Sequence, residues 1–514
     1  EGGSTVYDSD ATTLRPGGHT QTHTSQQLYE DGQTLLHLDE ELDEIVGDEY
    51  TTRMLRRQAQ EASMTDYALE YLNINRRGLL RTHRTPVLKL MSWKIDTIGM
   101  PLHSWDEMPE ELEDEPVKLF EHLQHFMGDR FSVRDLQTRS PLKRFRNPRR
   151  HAGKHSQPAE FDEDARELRS VMGFGRGSSE QGPTPTEDHE AGGGDDDGDH
   201  HTPASPSIRH AQRMMRIIKT YPQQMFKDEL LCQIVKQVSN NPALRSCVRG
   251  WQALLLCLSS FTPSEELHLP LASFISQHVD DENPTVAHLA DHALHRLRRS
   301  RAVEESTEVA SHVEMNAILL LKVTRIRVWI VEDVFIVSRA HSHTTVAEME
   351  RQVAARLGVR DTTPFRLFET RGLNYERVLG AHERLMDVLS SWEDQPKDED
   401  WRLVYKVRLY VEVQEEDAAA VELMYRQGVR DVEQDTYPLT DEDVIALGAL
   451  RVQEQYGALD ETDHLMASAR QAVPSFLPRH VQARDNVFEI TERIIQTYKR
   501  LADYDRVEVM MTFV

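Results

Sequence analysis

His288, Asp291, His292 and His295 are the side chains whose types and spacing could do chemistry. Two histidines four apart on a helix share a face and can share a zinc ion, and His-x-x-Asp-His is close to the inverted zinc-protease pattern. That pattern uses Glu as its general base, and no third ligand stands nearby in the sequence, so an ordinary surface helix competes with a zinc-dependent hydrolase. Gly173, Gly175 and Gly177 form a Gly-x-Gly-x-Gly with no strand before it, whereas phosphate binding needs a strand-to-helix turn. The chain has no G-x-x-x-x-G-K-[ST] and hence no P-loop. No nucleophile, base and orienting acid can be paired by spacing, so neither a catalytic residue nor a cofactor is assigned. Cys232, Cys247 and Cys257 lie in apolar helical patterns without a Cys-x-x-Cys pair, which implies a reduced, intracellular compartment.

What remains is recognition. Lys219, Lys227, Lys236, Arg245 and Arg249 surround the densest apolar pattern, and Arg296, Arg298, Arg299 and Arg301 close the same region. Solvated helix faces carry such residues in any case. The whole chain has 86 acidic residues against 60 Lys and Arg, a formal −26. Residues 1–50 hold 12 acids and only Arg15, and residues 156–207 hold 13 acids against three Arg, so these two stretches account for −21 and leave about −5 for everything else. Bulk charge therefore argues against nucleic acid as a partner, while local basic patches remain available. No apolar run approaches the roughly 18 residues of a membrane-spanning helix. The chain opens at Glu1 without a methionine or a signal-like stretch and reads as a fragment.

The 514 residues suggest about three domains. Residues 1–50 read as disordered acidic linker. Residues 51–300 read as a helical domain interrupted at about 131–207 by a disordered insertion, basic from Arg139 to Lys154 and then acidic. Leu230, Leu231, Ile234, Val235 and Val238 predict one amphipathic helix, and Gly250 to Phe261 is apolar nearly all round, as a core helix must be. Gly128, Ser264 and Asn283-Pro284 mark helix ends. After a connector at 301–315 the period changes to strands. Ile326 to Ile330 and Val334 to Val337 predict a hairpin, Thr345 and Glu348 a capping box, and the alternation from Leu403 to Val413 a half-buried strand. From Asp417 the pattern is helical again, over Val421–Val432, Thr440–Tyr456 and Phe488–Leu501.

Phe126-Met127-Gly128-Asp129-Arg130 is followed downstream by Lys227-Asp228-Glu229 through Gln233 and Gln237, then Arg249-Gly250-Trp251 and Phe261-Thr262-Pro263-Ser264. This order resembles the MyTH4 domain of unconventional myosin tails, some kinesins and motorless adaptors. Asp387 to Glu393, Trp401 to Lys406, Glu422 to Gln427 and Ala449 to Gln453 are similar to the first two lobes of a FERM domain, with the third lobe absent. The resemblance implies a mainly α chain with a smaller α+β part: a helical MyTH4 bundle, a ubiquitin-like roll at 316–413 and a helical second FERM lobe at 414–514. It also implies a non-catalytic, cytoplasmic and cytoskeleton-associated tail of an unconventional myosin, or alternatively of a kinesin or a motorless adaptor. Its expected partners are microtubules or an actin-linked motor, receptor tails and other adaptor proteins. The basic residues named above, except Arg301, are the expected microtubule contacts.

Overall fold

A computed structural model describes residues 45–77, 82–104, 109–130, 206–331, 334–372, 375–393, 395, 400–458 and 464–514. The expected linker up to residue 44, the Gly-x-Gly-x-Gly and both halves of the expected insertion up to residue 205 lie outside the described residues. Helices dominate, and one five-stranded sheet interrupts them.

The first unit contains α1 (Ile45–Gln58), α2 (Met64–Tyr71), a hairpin of β1 (Asn75–Arg77) and β2 (Thr82–Arg84), α3 (Val87–Leu90), α4 (Glu115–Met127), α5 (Pro206–Thr220), α6 (Gln224–Val238), α7 (Leu244–Ser260), α8 (Glu265–His278), α9 (Pro284–Ser300) and α10 (His312–Leu319). α7 is the central helix: Trp251, Leu254, Leu255, Leu256 and Leu258 are all buried, and its neighbours α4, α6 and α9 cover it. Gly250 is required there, because a Cβ would stand 2.4 Å from Val238 Cγ1 and 2.9 Å from Met127 Cε. Helix ends follow local chemistry: Ser264 and Asn283 accept backbone N–H groups at their N-termini, and Gly128 ends α4 at φ 84°. α1 starts at Ile45, inside the stretch read as linker, because Leu55 and Ala59 have a core to enter. The expected connector is also packed. Ala310, Met315 and Ile318 join the same core as Leu55, and Ser306 N donates to Ser260 O.

The second unit is a roll of β3 (Thr324–Trp329), β4 (Phe335–Ala340), α11 (Val346–Leu357), β5 (Phe365–Arg371), β6 (Tyr375–Val378), α12 (Leu385–Glu393) and β7 (Trp401–Val407). The sheet order is β4-β3-β7-β5-β6, with β3 and β7 parallel and the other pairings antiparallel. Thr345 and Glu348 form the expected capping box on α11. The last strand stops at Val407, short of the expected Val413. Its partner β5 starts at Phe365 opposite Val407; before that stands Pro364, which has no N–H to donate and instead accepts from Arg408 N and Leu409 N.

The third unit packs α13 (Ala418–Glu433), α14 (Asp441–Tyr456), α15 (His464–Phe476), α16 (Arg479–Gln482), α17 (Val487–Tyr498) and α18 (Arg506–Phe513). α13 and α18 share a core with the roll, through Val421, Met424, Val509 and Met510. α14, α15 and α17 enclose a separate one.

Candidate binding surfaces

The densest sequence motif is spent on the fold. Glu229 on α6 is fully buried and accepts from Leu102 N at 2.8 Å, His103 N at 3.0 Å and His103 Nδ1 at 2.7 Å, with Gln233 Nε2 at 2.8 Å. Burial alone would push its carboxyl up, yet the His103 hydrogen bond and charge, with the backbone donors, hold it below the usual range. Gln233 also donates to Pro116 O. Asp129, just past α4, accepts from Trp93 Nε1 and Gln237 Nε2, while Gln237 Oε1 accepts from Lys94 N. Asp228 accepts from Ser264 N next to buried Pro263. Phe126 and Met127 are buried against α7, and Arg249 Nη1 lies 3.4 Å from Phe126 O. These side chains tie α4, α6 and α7 into one bundle.

The basic residues expected to meet an acidic partner do not form one patch. Lys236 is buried, donating to Leu90 O and Ser92 O, and Lys227 is buried against Glu305. Both are removed from any contact surface, since a buried ammonium keeps its charge only by such pairing. Lys219 donates to Ser306 O, Arg296 to Ser259 Oγ and Arg299 to Glu348, all half-buried. Burial draws the Arg296 guanidinium down to about 10. Arg298 is half-buried beside Arg299, and Arg245 and Arg301 are exposed. The sequence reading missed a better stripe: Arg209, Arg213 and Arg216 recur at helical spacing along α5 and are all exposed, in a helix with no acid. The signal was available, since Ile208, Ala211, Met215 and Ile218 mark the opposite, buried face.

The histidines read for zinc serve packing. His295 Nδ1 lies 3.1 Å from Thr52 Oγ1, and His288 meets His292 edge-on at 4.6 Å between ring centroids, where burial draws the His292 imidazole down to about 4. Among the described residues no group of three or more His, Cys, Asp or Glu is arranged to hold a metal ion.

Charged and polar groups concentrate instead where the bundle meets the roll. Arg384 Nη1 donates to Ser259 O, and its Nε donates to Glu304 O. His343 Nε2 lies 3.0 Å from Leu258 O; burial, aided by Arg384, draws its imidazole far down, so the ring is neutral and the donor. Asp387 accepts from Ser306 Oγ and Thr307 N, Ser390 Oγ from Ser311 N, and Glu393 from His312 N. Glu314 is buried in the same junction, and burial pushes its carboxyl up to about 7. The two units thus meet through a polar seam with many hydrogen bonds.

Bundle, roll and helical lobe follow one another in the order of a MyTH4-FERM tandem. The MyTH4 domain profile matches residues 214–317, the RA like domain profile residues 323–409 and the FERM central domain profile residues 411–514. Among curated proteins the chain is similar to unconventional myosin heavy chain 6 of Caenorhabditis elegans, 27% identical over 49% of this chain and 12% of that protein. It is likewise similar to myosin-VIIa of Drosophila melanogaster, 27% identical over 53% and 13%. The kinesin-like protein KIN-14I of Oryza sativa subsp. japonica is 28% identical over 50% and 22%. The chain thus spans at most about a fifth of the length of these relatives. Among solved structures, the MyTH4-FERM MF1 domain of Dictyostelium discoideum myosin VII shares the fold at TM-score 0.57, 15% identity, 89% of this chain and 78% of that one. The human myosin 7b C-terminal MyTH4-FERM domain, solved with the harmonin-a PDZ3 domain, superposes at TM-score 0.55, 17% identity, 88% and 77%.

Proposed function

We propose that this chain is a non-catalytic tail module of an unconventional myosin, which links a motor to adaptor proteins and to the cytoskeleton. The observation that carries the reading is the polar seam between MyTH4 and the roll, because a fixed tandem presents composite surfaces that separate domains would not. The myosin relatives and the harmonin-bound myosin 7b tandem support it. The kinesin relative makes a kinesin tail the second reading. A cytoplasmic place beside the cytoskeleton, and receptor tails as further cargo, belong to the same proposal; no helix among the described residues is long and apolar enough to cross a membrane.

Microtubules are the proposed cytoskeletal partner, met through the exposed Arg209, Arg213, Arg216 and Arg245. Attraction between exposed guanidiniums and acidic tubulin tails is screened over about 8 Å at physiological ionic strength. Co-sedimentation with microtubules and with actin filaments, at low and high salt, tests the proposal. Microtubule binding should weaken with salt and fall in an Arg213→Glu/Arg216→Glu variant. Binding indifferent to both changes would remove the microtubule assignment.

A further inference from the structure

The roll carries a second basic surface that the tandem does not use. β-strand alternation sends one set of side chains into the core under α11 and the other set to the open face. The register fixes which: Val328, Leu403, Tyr405 and Leu367 go inward, so Trp329, Val404, Lys406 and Phe368 go outward. Across the open face stand Arg339 on β4, Arg325 and Arg327 on β3, Arg402 and Lys406 on β7 and Arg366 on β5. Among the described strand residues of that face, Glu376 on β6 is the one acid. Six cations against one carboxylate is an inversion in a chain of net charge −26. At the rim Arg402 pairs with Asp400 and Lys406 with Glu376, and Arg366 Nη1 donates to Phe365 O. Arg325 and Arg327 are exposed.

Between the cations runs an apolar strip, with Arg402 4.2 Å from the Trp329 ring centroid, Arg327 5.3 Å from that of Phe335 and Lys406 4.7 Å from that of Phe368. A guanidinium held over a ring loses less freedom when it grips a carboxylate, and Arg grips carboxylates with two parallel bonds. Five strands about 4.8 Å apart and six residues of about 3.3 Å make a face of roughly 20 Å by 20 Å. That is about half of the roughly 800 Å² per partner in a standard protein interface, so it suits a peptide segment better than a globular domain.

We propose that the open face of the β4-β3-β7-β5-β6 sheet is a docking surface for an acidic segment of a partner protein, with apolar side chains set among its carboxylates. This goes beyond the microtubule contact assigned to the bundle, and its residues are different ones. Single-stranded nucleic acid is disfavoured because its stacking platforms need open rings, and all three rings here already carry a cation. A lipid surface is disfavoured because the large rings of the face are largely covered: Phe368 is only 5% exposed, Trp329 and Phe335 are half-buried, and the exposed apolar side chain is the small Val378 at the edge strand.

The test is selection of a phage-displayed random 12-residue library on the full 514-residue chain, followed by affinity measurement on the chain and on an Arg325→Glu/Arg327→Glu variant. Selected peptides should be rich in Asp and Glu with interspersed aromatic or aliphatic residues, and should lose at least about tenfold in affinity on the variant, by the size of two lost charge-assisted contacts. Both arginines are exposed, so the variant's melting temperature should match the parent's; if it does not fold, Arg325→Gln/Arg327→Gln replaces it. Selection of neutral peptides, no selected binder, or equal affinity for the variant overturns the proposal. So does face-dependent binding of oligo-dT or of phosphatidylserine vesicles without peptide binding, which would assign the face to those classes.

Discussion

Arg384 Nη1 reaches the carbonyl oxygen of Ser259 at 2.5 Å, joining the roll to the C-terminal end of the bundle's central helix. The same guanidinium serves Glu304 O, so one side chain holds two backbone carbonyls of the other unit. Replacing it by Met keeps the volume and leaves both carbonyls without this donor. The expected loss is about 2–6 kcal/mol, at roughly 1–3 kcal/mol for each unsatisfied buried group. Chemical unfolding should then separate into two transitions, bundle and roll; a single transition at the parent's midpoint would mean that the seam does not depend on Arg384.

Glu314 makes the same seam sensitive to pH. Burial raises its carboxyl from 4.5 to about 7, with Asp387 pushing the same way and Arg384 and Arg296 opposing. Between those two values the folded protein holds a proton that the unfolded chain has released. Stability from this group is therefore greatest below the unfolded value, falls as pH rises through the window and is flat above it. The full span is about 3 kcal/mol at about 1.4 kcal/mol per unit. Glu314→Gln should remove that slope, and urea midpoints at pH 5, 6 and 7.5 measure it; an unchanged slope would assign the proton elsewhere.

Trp251 stacks on Phe274 at 5.8 Å and is 1% exposed. Trp251→Ala should cost about 3–5 kcal/mol, read from thermal unfolding of the bundle. A loss under about 1 kcal/mol would contradict its place at the centre of the core.

Gly250→Ala tests the tightest approach in the bundle. The new methyl would have to displace Val238 and Met127 side chains, at about 1–3 kcal/mol. A neutral outcome in the same unfolding assay would show that α4, α6 and α7 separate more easily than their packing indicates.

Local chemistry was legible in the sequence wherever a cause lies within a few residues. Gly128 ends its helix with positive φ, and Thr345 and Glu348 form a capping box where their spacing placed it. Causes distant in sequence were not legible. Lys227 is withdrawn from the surface by Glu305, 78 positions away, and Lys236 by the carbonyls of Leu90 and Ser92. The overlong strand to Val413 failed for the same reason: alternation continues past Val407, but the neighbouring strand does not. The helix at His464–Phe476 escaped notice because it contains Pro474, and that at Arg506–Phe513 because it is short.

In the roll, β3 and β7 are the first and last strands, yet they lie side by side and run the same way, with Val328 beside Leu403 and Trp329 beside Val404. Tension applied to the two ends of the lobe would slide these strands past one another lengthwise, so their bonds would bear load together and not open in sequence like a zipper. Optical-tweezer stretching should find the roll yielding at higher force than the all-helical lobe behind it. A chain built this way would keep its middle segment intact while the parts on either side give.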